Sequence, residues 1–246
     1  MAFGKSKIPF QTLITFLLLV SALAVSAQEE ENIDKYGRNL EELTIRKRGP
    51  NLDHYSHIFL GYGYIIGPSE KDSADVRGYK SSTFMLGYLF KWRLAKFSEI
   101  GFSATYHYSS FHLKQDSMKA VPTKQLHRKE KIVFNNIQLA PFHRIKLTNK
   151  HHSNGTFIDM GGYFGYHYRT KHQTRENNLN TGARRTRTVN LGLKYVDDFS
   201  YGLLARIGFN RIMLYARYRI SNHFTPSSDL PELPRFEAGL KLGIHQ

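Results

Sequence analysis

The sequence predicts an all-β fold: an antiparallel meander of about eight strands closed into a transmembrane β-barrel, preceded by a cleaved leader. Three observations predict it. Apolar and polar side chains alternate with strict period two in a series of segments, which is the pattern of strands with one apolar face. The connectors between these segments alternate long and short. Glycine gathers on the polar face of the segments, whereas Phe, Tyr, Trp and Leu crowd the apolar one.

Residues 1–27 have the layout of a secretory signal peptide. Lys5 and Lys7 form the positive region, Leu13–Leu19 begins the apolar region, and Val25-Ser26-Ala27 is the small-residue cleavage pattern before Gln28. A membrane helix needs about 20 apolar residues, and this run is shorter. Residues 28–54 are polar and mixed in charge, closed by Gly49-Pro50, and read as an exposed periplasmic lead-in. The barrel is expected over residues 55–246.

The first strand is His57–Ile66, with Ile58, Leu60, Tyr62, Tyr64 and Ile66 on its apolar face. After a polar loop, Phe84 to Tyr108 makes a hairpin turned at Leu94–Ser98. Residues 114–130 form a long basic loop. Val133–Leu147 is the fourth strand, and Pro141 marks a bulge or an irregular spot in it. A short connector containing His151-His152 leads to Phe157–Lys171. The longest loop is His172–Ser200, whose end, VNLGLKYV, alternates weakly and is placed to extend the neighbouring strand. Tyr201–Phe209 and Arg211–Ser221 meet at a tight turn around Asn210. A Pro-rich loop at 222–234 precedes the last strand, Phe236–Ile244. All long loops therefore lie at one end, and both ends of the barrel lie at the other.

Alternation suits a soluble barrel as well as a membrane barrel, with opposite faces buried. Volume decides between them. Eight strands enclose a lumen just wide enough for side chains. The face with Gly61, Gly63, Gly87, Gly101, Gly161, Gly165, Gly202, Gly208, Gly239 and Gly243 fits inside it, and the bulky apolar face fits lipid. Trp92 and the tyrosines suit aromatic girdles at the membrane boundaries. The lumen then receives Lys91, Arg93, Arg144, Arg169, Arg206, Arg217, Arg219 and Lys241, faced by Glu99, Asp159 and Glu237. Buried charge is costly unless paired, so an interior network of arginine–carboxylate bridges with trapped water is expected. Such a network fills the lumen; the alternative is a narrow anion path.

The chain has no cysteine, which excludes disulfides, thiolate nucleophiles, Cys-type zinc sites and a lipobox anchor. The formal net charge is +15, including the two leader lysines. A basic excess points to phosphate-bearing partners. The export signal argues against nucleic acid and toward lipopolysaccharide phosphates, other outer-membrane lipids or further envelope proteins. The candidate anion contacts are Lys114, Lys119, Lys124, Arg128 and Lys129 in one loop and Arg175, Arg184, Arg185 and Arg187 in another.

One pair resembles an enzyme motif. His107 and Ser109 lie two apart on a strand and share a face, as in lipid A deacylase barrels, where a histidine activates a serine. The face assignment turns both into the lumen, away from lipid. His151-His152 has no carboxylate or third ligand near it in sequence and reads as a solvated turn, not a metal site. No motif calls for a cofactor. The first expectation is a non-enzymatic barrel; the alternative is a lipid A-modifying acyl hydrolase.

The leader ending VSA before Gln, the meander, and the closing pattern YGLLARIGF, IMLYARYRIS and PELPRFEAGLKL resemble the PorT-like, Bacteroidetes-type outer-membrane β-barrel family over roughly residues 55–246. The resemblance implies a barrel located in the outer membrane. It also implies a role as scaffold or accessory subunit of envelope or secretion machinery, since named members assist type IX secretion. It carries no functional residues across. One departure is the end, Ile244-His245-Gln246, where many outer-membrane barrels finish on Phe or Tyr.

Overall fold

The computed structural model describes residues 54–148, 155–177 and 185–244. The expected leader (1–27), the lead-in up to residue 53, His151-His152, Arg184 and the last two residues lie outside the described residues. The strands are β1 (His54–Ile66), β2 (Ser82–Ala95), β3 (Ser98–His112), β4 (Lys129–Lys146), β5 (Thr156–Glu176), β6 (Thr186–Leu191), β7 (Phe199–Phe209), β8 (Ile212–Arg219) and β9 (Phe236–Ile244). Eight of them close an antiparallel barrel, in which β4 pairs with β5, β5 with β7, and β9 with β1. The expected fold class is the observed one.

The ninth strand, β6, stands outside the barrel and pairs with the far end of β5, from Lys171 to Glu176. The long-loop region therefore extends a strand, as its alternation suggested, though the paired stretch starts at Thr186, before VNLGLKYV. β7 pairs with β5 from Tyr166 back to Thr156.

The short turns are local in origin. Between β7 and β8, Asn210 adopts a φ of 54°, a left-handed conformation that asparagine tolerates better than most residues. Phe209 and Ile212 pair directly across it. Pairing of β4 with β5 is interrupted at Ala140 and Pro141 without a change of register, which is the irregular spot that proline predicts. The register changes instead at Asn135/Asn136, where β5 carries an extra residue between His167 and Arg169.

That bulge corrects one expectation. Period two assigns Arg169 to the lumen. The extra residue reverses the phase, so Tyr168 and Arg169 are both exposed, and Thr170 and His172 are buried.

The barrel is inside out relative to a soluble one. Ile58, Leu60, Leu86, Ile137, Met160, Phe164, Leu203 and Leu240 are exposed, while Arg144, Arg206, Lys91, Glu99 and Asp159 are buried. Tyr62, Tyr64, Tyr166, Tyr168, Tyr201 and Tyr218 ring the end nearer the long connectors; Trp92, Phe97 and Phe209 stand at the other. An apolar outer band with aromatic borders and a polar interior is the architecture of an outer-membrane-type barrel.

Glycine has a more specific task inside than leaving space. Phe59, Phe142, Phe157, Tyr163 and Tyr215 also point inward, and each lies against a glycine. A Cβ on Gly87 would sit 2.5 Å from the Phe59 ring, on Gly101 2.7 Å from Phe142, and on Gly208 2.1 Å from Phe157. Gly202 and Gly63 stand in the same relation to Tyr163 and Tyr215, at 2.9 and 2.2 Å. Bulky rings thus enter a narrow lumen because the position beside each on a neighbouring strand has no side chain, four of the glycines being directly paired with their ring residue.

Gly208→Ala is expected to lower stability by about 1–3 kcal/mol through overpacking against Phe157. Combining it with Phe157→Leu should recover much of the loss. Urea titration of the detergent-refolded barrel, followed by tryptophan fluorescence, measures both.

Candidate functional site

The lumen carries the charge that the alternation placed there, in an order set by strand register. Arg93 stands opposite Glu99, Glu99 opposite Arg144, Arg144 opposite Asp159, and Asp159 opposite Arg206. Directly opposed residues of antiparallel strands share a face. The result is a row of alternating sign across β2, β3, β4, β5 and β7. Arg144 forms a two-pronged bridge to Asp159, with Nε–Oδ1 2.6 Å and Nη2–Oδ2 2.9 Å. Arg206 Nε lies 3.0 Å from the same carboxylate. Glu99 is held by Lys91 at 2.8 Å and by Lys146 at 2.5 Å.

The row has more cations than carboxylates, and aromatic faces take up the difference. The Arg144 guanidinium lies 3.6 Å from the centre of the Phe157 ring and that of Arg206 4.3 Å from Phe142. Lys241 stands over Phe59 and Tyr215, at 4.7 and 5.0 Å. The ring quadrupole attracts a cation most where water is excluded.

A second cluster centres on Glu237, nearer the long connectors. Tyr215 and Thr83 each donate to its carboxylate at 2.8 Å, and His107 Nε2 lies 3.2 Å away. Arg217 is 3.6 Å from Glu237, donates to Gln138 at 2.8 Å and stacks on Tyr163 at 3.9 Å. Beside it is a cavity of about 30 Å³ bordered by His107, Ser109, Asn136, Ser200 and His223. His107 Nδ1, Asn136 Oδ1, Ser200 Oγ and His223 Nδ1 are buried without a protein partner, the type of atom that binds internal water.

His107 and Ser109 do share this inner face, buried at 4% each. Among the described residues no hydrogen bond joins them; His107 instead serves Glu237. A space of this size holds water but not a lipid ester.

Arg219 does not join the strand network. It donates to the Glu232 carboxylate at 2.9 Å and to the Leu233 carbonyl at 2.9 Å, while Glu232 also accepts from the His223 and Phe224 amides. These bonds fold the β8–β9 connector into the barrel mouth. Above them Ile65, Phe111, Val121, Ile132, Val196, Phe224 and Leu233 pack into an apolar cap assembled from all four long connections and the strand ends beside them. The sequence reading missed Glu232, Lys146, His107 and Tyr215 as network members. Alternation does put Lys146, His107 and Tyr215 on the inner face; for Glu232, in a loop, no periodic signal exists.

The basic loop residues divide. Lys119 is buried and not an anion contact: its Nζ pairs with Glu130 at 2.6 Å and donates to the Thr123 carbonyl at 2.9 Å. Lys114 bridges to Asp75. Lys124, Arg128, Lys129, Arg175, Arg185 and Arg187 are exposed, with Lys129, Arg175 and Arg187 on strands instead of loops. Burial alone would push the Glu130 carboxyl up. Hydrogen bonds from His172, Lys119 and Gln115 outweigh it and hold the group below its ordinary value. Asp75 is lowered too, first by its bond from Lys114 and then by that from Ser69.

No family model matches the chain, and no curated protein is similar to it.

Two outcomes follow from these pairings. Asp159→Asn leaves two buried arginines uncompensated and is expected to cost about 3–5 kcal/mol, with partial recovery in Asp159→Asn/Arg206→Met; denaturant midpoints measure this. Glu130 has a depressed pKa, so its stabilisation is complete above its ordinary value of 4.5 and is lost as pH falls through the lower folded value. Pepsin cleavage between residues 114 and 128 should accelerate in that acid window, and Glu130→Gln should open the same segment to trypsin at neutral pH.

Proposed function

We propose that this protein resides in the outer membrane as a closed, non-conducting and non-enzymatic barrel, acting as a scaffold or accessory subunit of envelope or secretion machinery. The observation that carries the closed reading is the Arg144–Asp159–Arg206 bridge, which occupies the lumen with fully buried side chains. The apolar cap over the mouth supports it further. The buried positions of His107 and Ser109 favour a non-enzymatic role. The resemblance to PorT-like barrels, through the closing pattern of strands, supports the accessory role. The long connectors and β6 offer partner surface above the membrane.

Fractionation tests the placement. The mature chain is expected in the detergent-insoluble outer membrane, with an epitope inserted at Lys124 accessible on intact cells. Recovery in the soluble periplasmic fraction would overturn it. In planar bilayers the protein should give no stepwise current; stable conductance altered by Arg217→Ala would establish the channel instead. Mild-detergent purification should bring down a defined envelope protein, and a clean monomer counts against the accessory role.

A further inference from the structure

The bulge in β5 has a consequence on the outside of the barrel. Beyond it, Lys171 and Arg175 lie on the opposite face from the buried His172, Lys171 half-buried and Arg175 exposed, while Gln173 between them is buried and accepts from Arg187 at 3.0 Å. They meet Lys129 and Lys131 of β4, which flank the inward Glu130. Here a cleft of about 190 Å³ opens on the wall of β3, β4 and β5, and Arg77, Lys80, Arg128, Lys129, Lys131 and Arg175 contribute to its lining.

The arrangement is electrostatically unfavourable as it stands. Lys129, Arg175 and Arg187 are directly opposite one another on three adjacent strands. Like charges in that relation repel. Glu130 is the acid that lines the cleft, and its carboxylate is already shared by Lys119, His172 and Gln115 at 2.6, 2.7 and 2.8 Å. Glu176, next to Arg175, is bonded to His127 at 2.6 Å. His112, also in the lining, registers the positive potential. Burial first, then Lys131, Lys80 and Arg77, hold its imidazole below the ordinary value.

Position narrows the choice of anion. On β3, His112 lies four residues beyond Tyr108, which is level with Tyr62 of the aromatic ring through Phe84, and pairs with Lys131. At roughly 3.3 Å per residue, and allowing for strand tilt, the cleft is on the order of 10 Å above that ring. That is headgroup depth, outside the hydrocarbon. Of its lining, Lys129, Lys131 and Arg175 stand on the outward face of the strands, the face that the placement proposed above turns to lipid. Arg and Lys bind phosphate through charge-assisted hydrogen bonds, and several cations around one concavity suit clustered phosphates better than a single carboxylate.

We propose that this outer wall is a binding site for clustered phosphate groups, of the kind carried by a phosphorylated glycolipid headgroup in the outer leaflet. The phosphate chemistry stands on the cleft alone; the lipid source rests on the membrane placement proposed above.

The test uses purified full-length mature protein in a phosphate-free neutral detergent. The probes are a bisphosphorylated diglucosamine lipid, its dephosphorylated counterpart, and inorganic pyrophosphate. Wild type should retain the bisphosphorylated lipid about tenfold better than the dephosphorylated one, with retention falling as salt rises. Lys131→Gln/Arg175→Gln should lose about tenfold, while Lys71→Gln/Lys96→Gln, the same charge change at exposed sites away from the cleft, should lose none. A heat-induced gel shift confirms that each variant is a folded barrel. Equal retention by wild type and the cleft variant would overturn the site. Competition by pyrophosphate at concentrations equal to the lipid would overturn the headgroup source and leave a soluble phosphate as the ligand. Either result obtained with protein that still fractionates to the outer membrane rejects this inference without touching the placement.

Discussion

Much of this barrel depends on the Asp159 carboxylate standing between the guanidinium groups of Arg144 and Arg206. An eight-stranded lumen cannot hydrate ions as bulk water does, so each charge inside needs a partner within reach. Direct cross-strand register supplies those partners without long side-chain excursions. It also makes register a condition of stability. A slip of one residue along β5 or β7 would turn Asp159 or Arg206 onto the apolar outer face and leave their partners inside uncompensated. The ion row therefore specifies the strand alignment as much as it contributes binding energy, and breaking it would be far more harmful than its net contribution suggests.

Polarity and volume are solved together inside. The interior has an excess of cations, and rings placed against glycine supply the missing negative faces. Phe157 illustrates the coupling: it fits because Gly208 lacks a Cβ, and it is where the Arg144 guanidinium stacks. Removing the glycine would disturb a charge contact as well as a packing one. This accounts for aromatic residues on a face that a simple reading would reserve for small and charged groups.

In the long connectors at the mouth of the barrel the physics changes. The connectors build an ordinary apolar core, and buried polar anchors hold it: Glu130 gathers Lys119, His172 and Gln115, and Glu232 gathers Arg219 and two backbone amides. The cap thus closes the mouth while exposed arginines and lysines are left for the outer wall. Buried acids already engaged by internal donors cannot neutralise the cations beside them. The positive cleft on β3, β4 and β5 is a by-product of how the cap is stabilised.

The chain's periodicity was enough to establish the strands, their antiparallel order, the even count of barrel strands and which face points outward, because period two is a local property of the backbone and the lumen volume follows from the strand number. It also placed Glu99, Asp159, Arg206, Arg217 and Glu237 inside, since their faces need no knowledge of neighbours. The tertiary structure alone decided the rest. It determined which ion meets which, because register between strands distant in sequence sets that. It turned Arg169 outward, because an extra residue in β5 is visible only against its partner strand. It buried Lys119 and recruited Glu232, because loops carry no period and fold on contacts made across the mouth of the barrel. Local chemistry chose the wall, and long-range pairing chose what the wall holds.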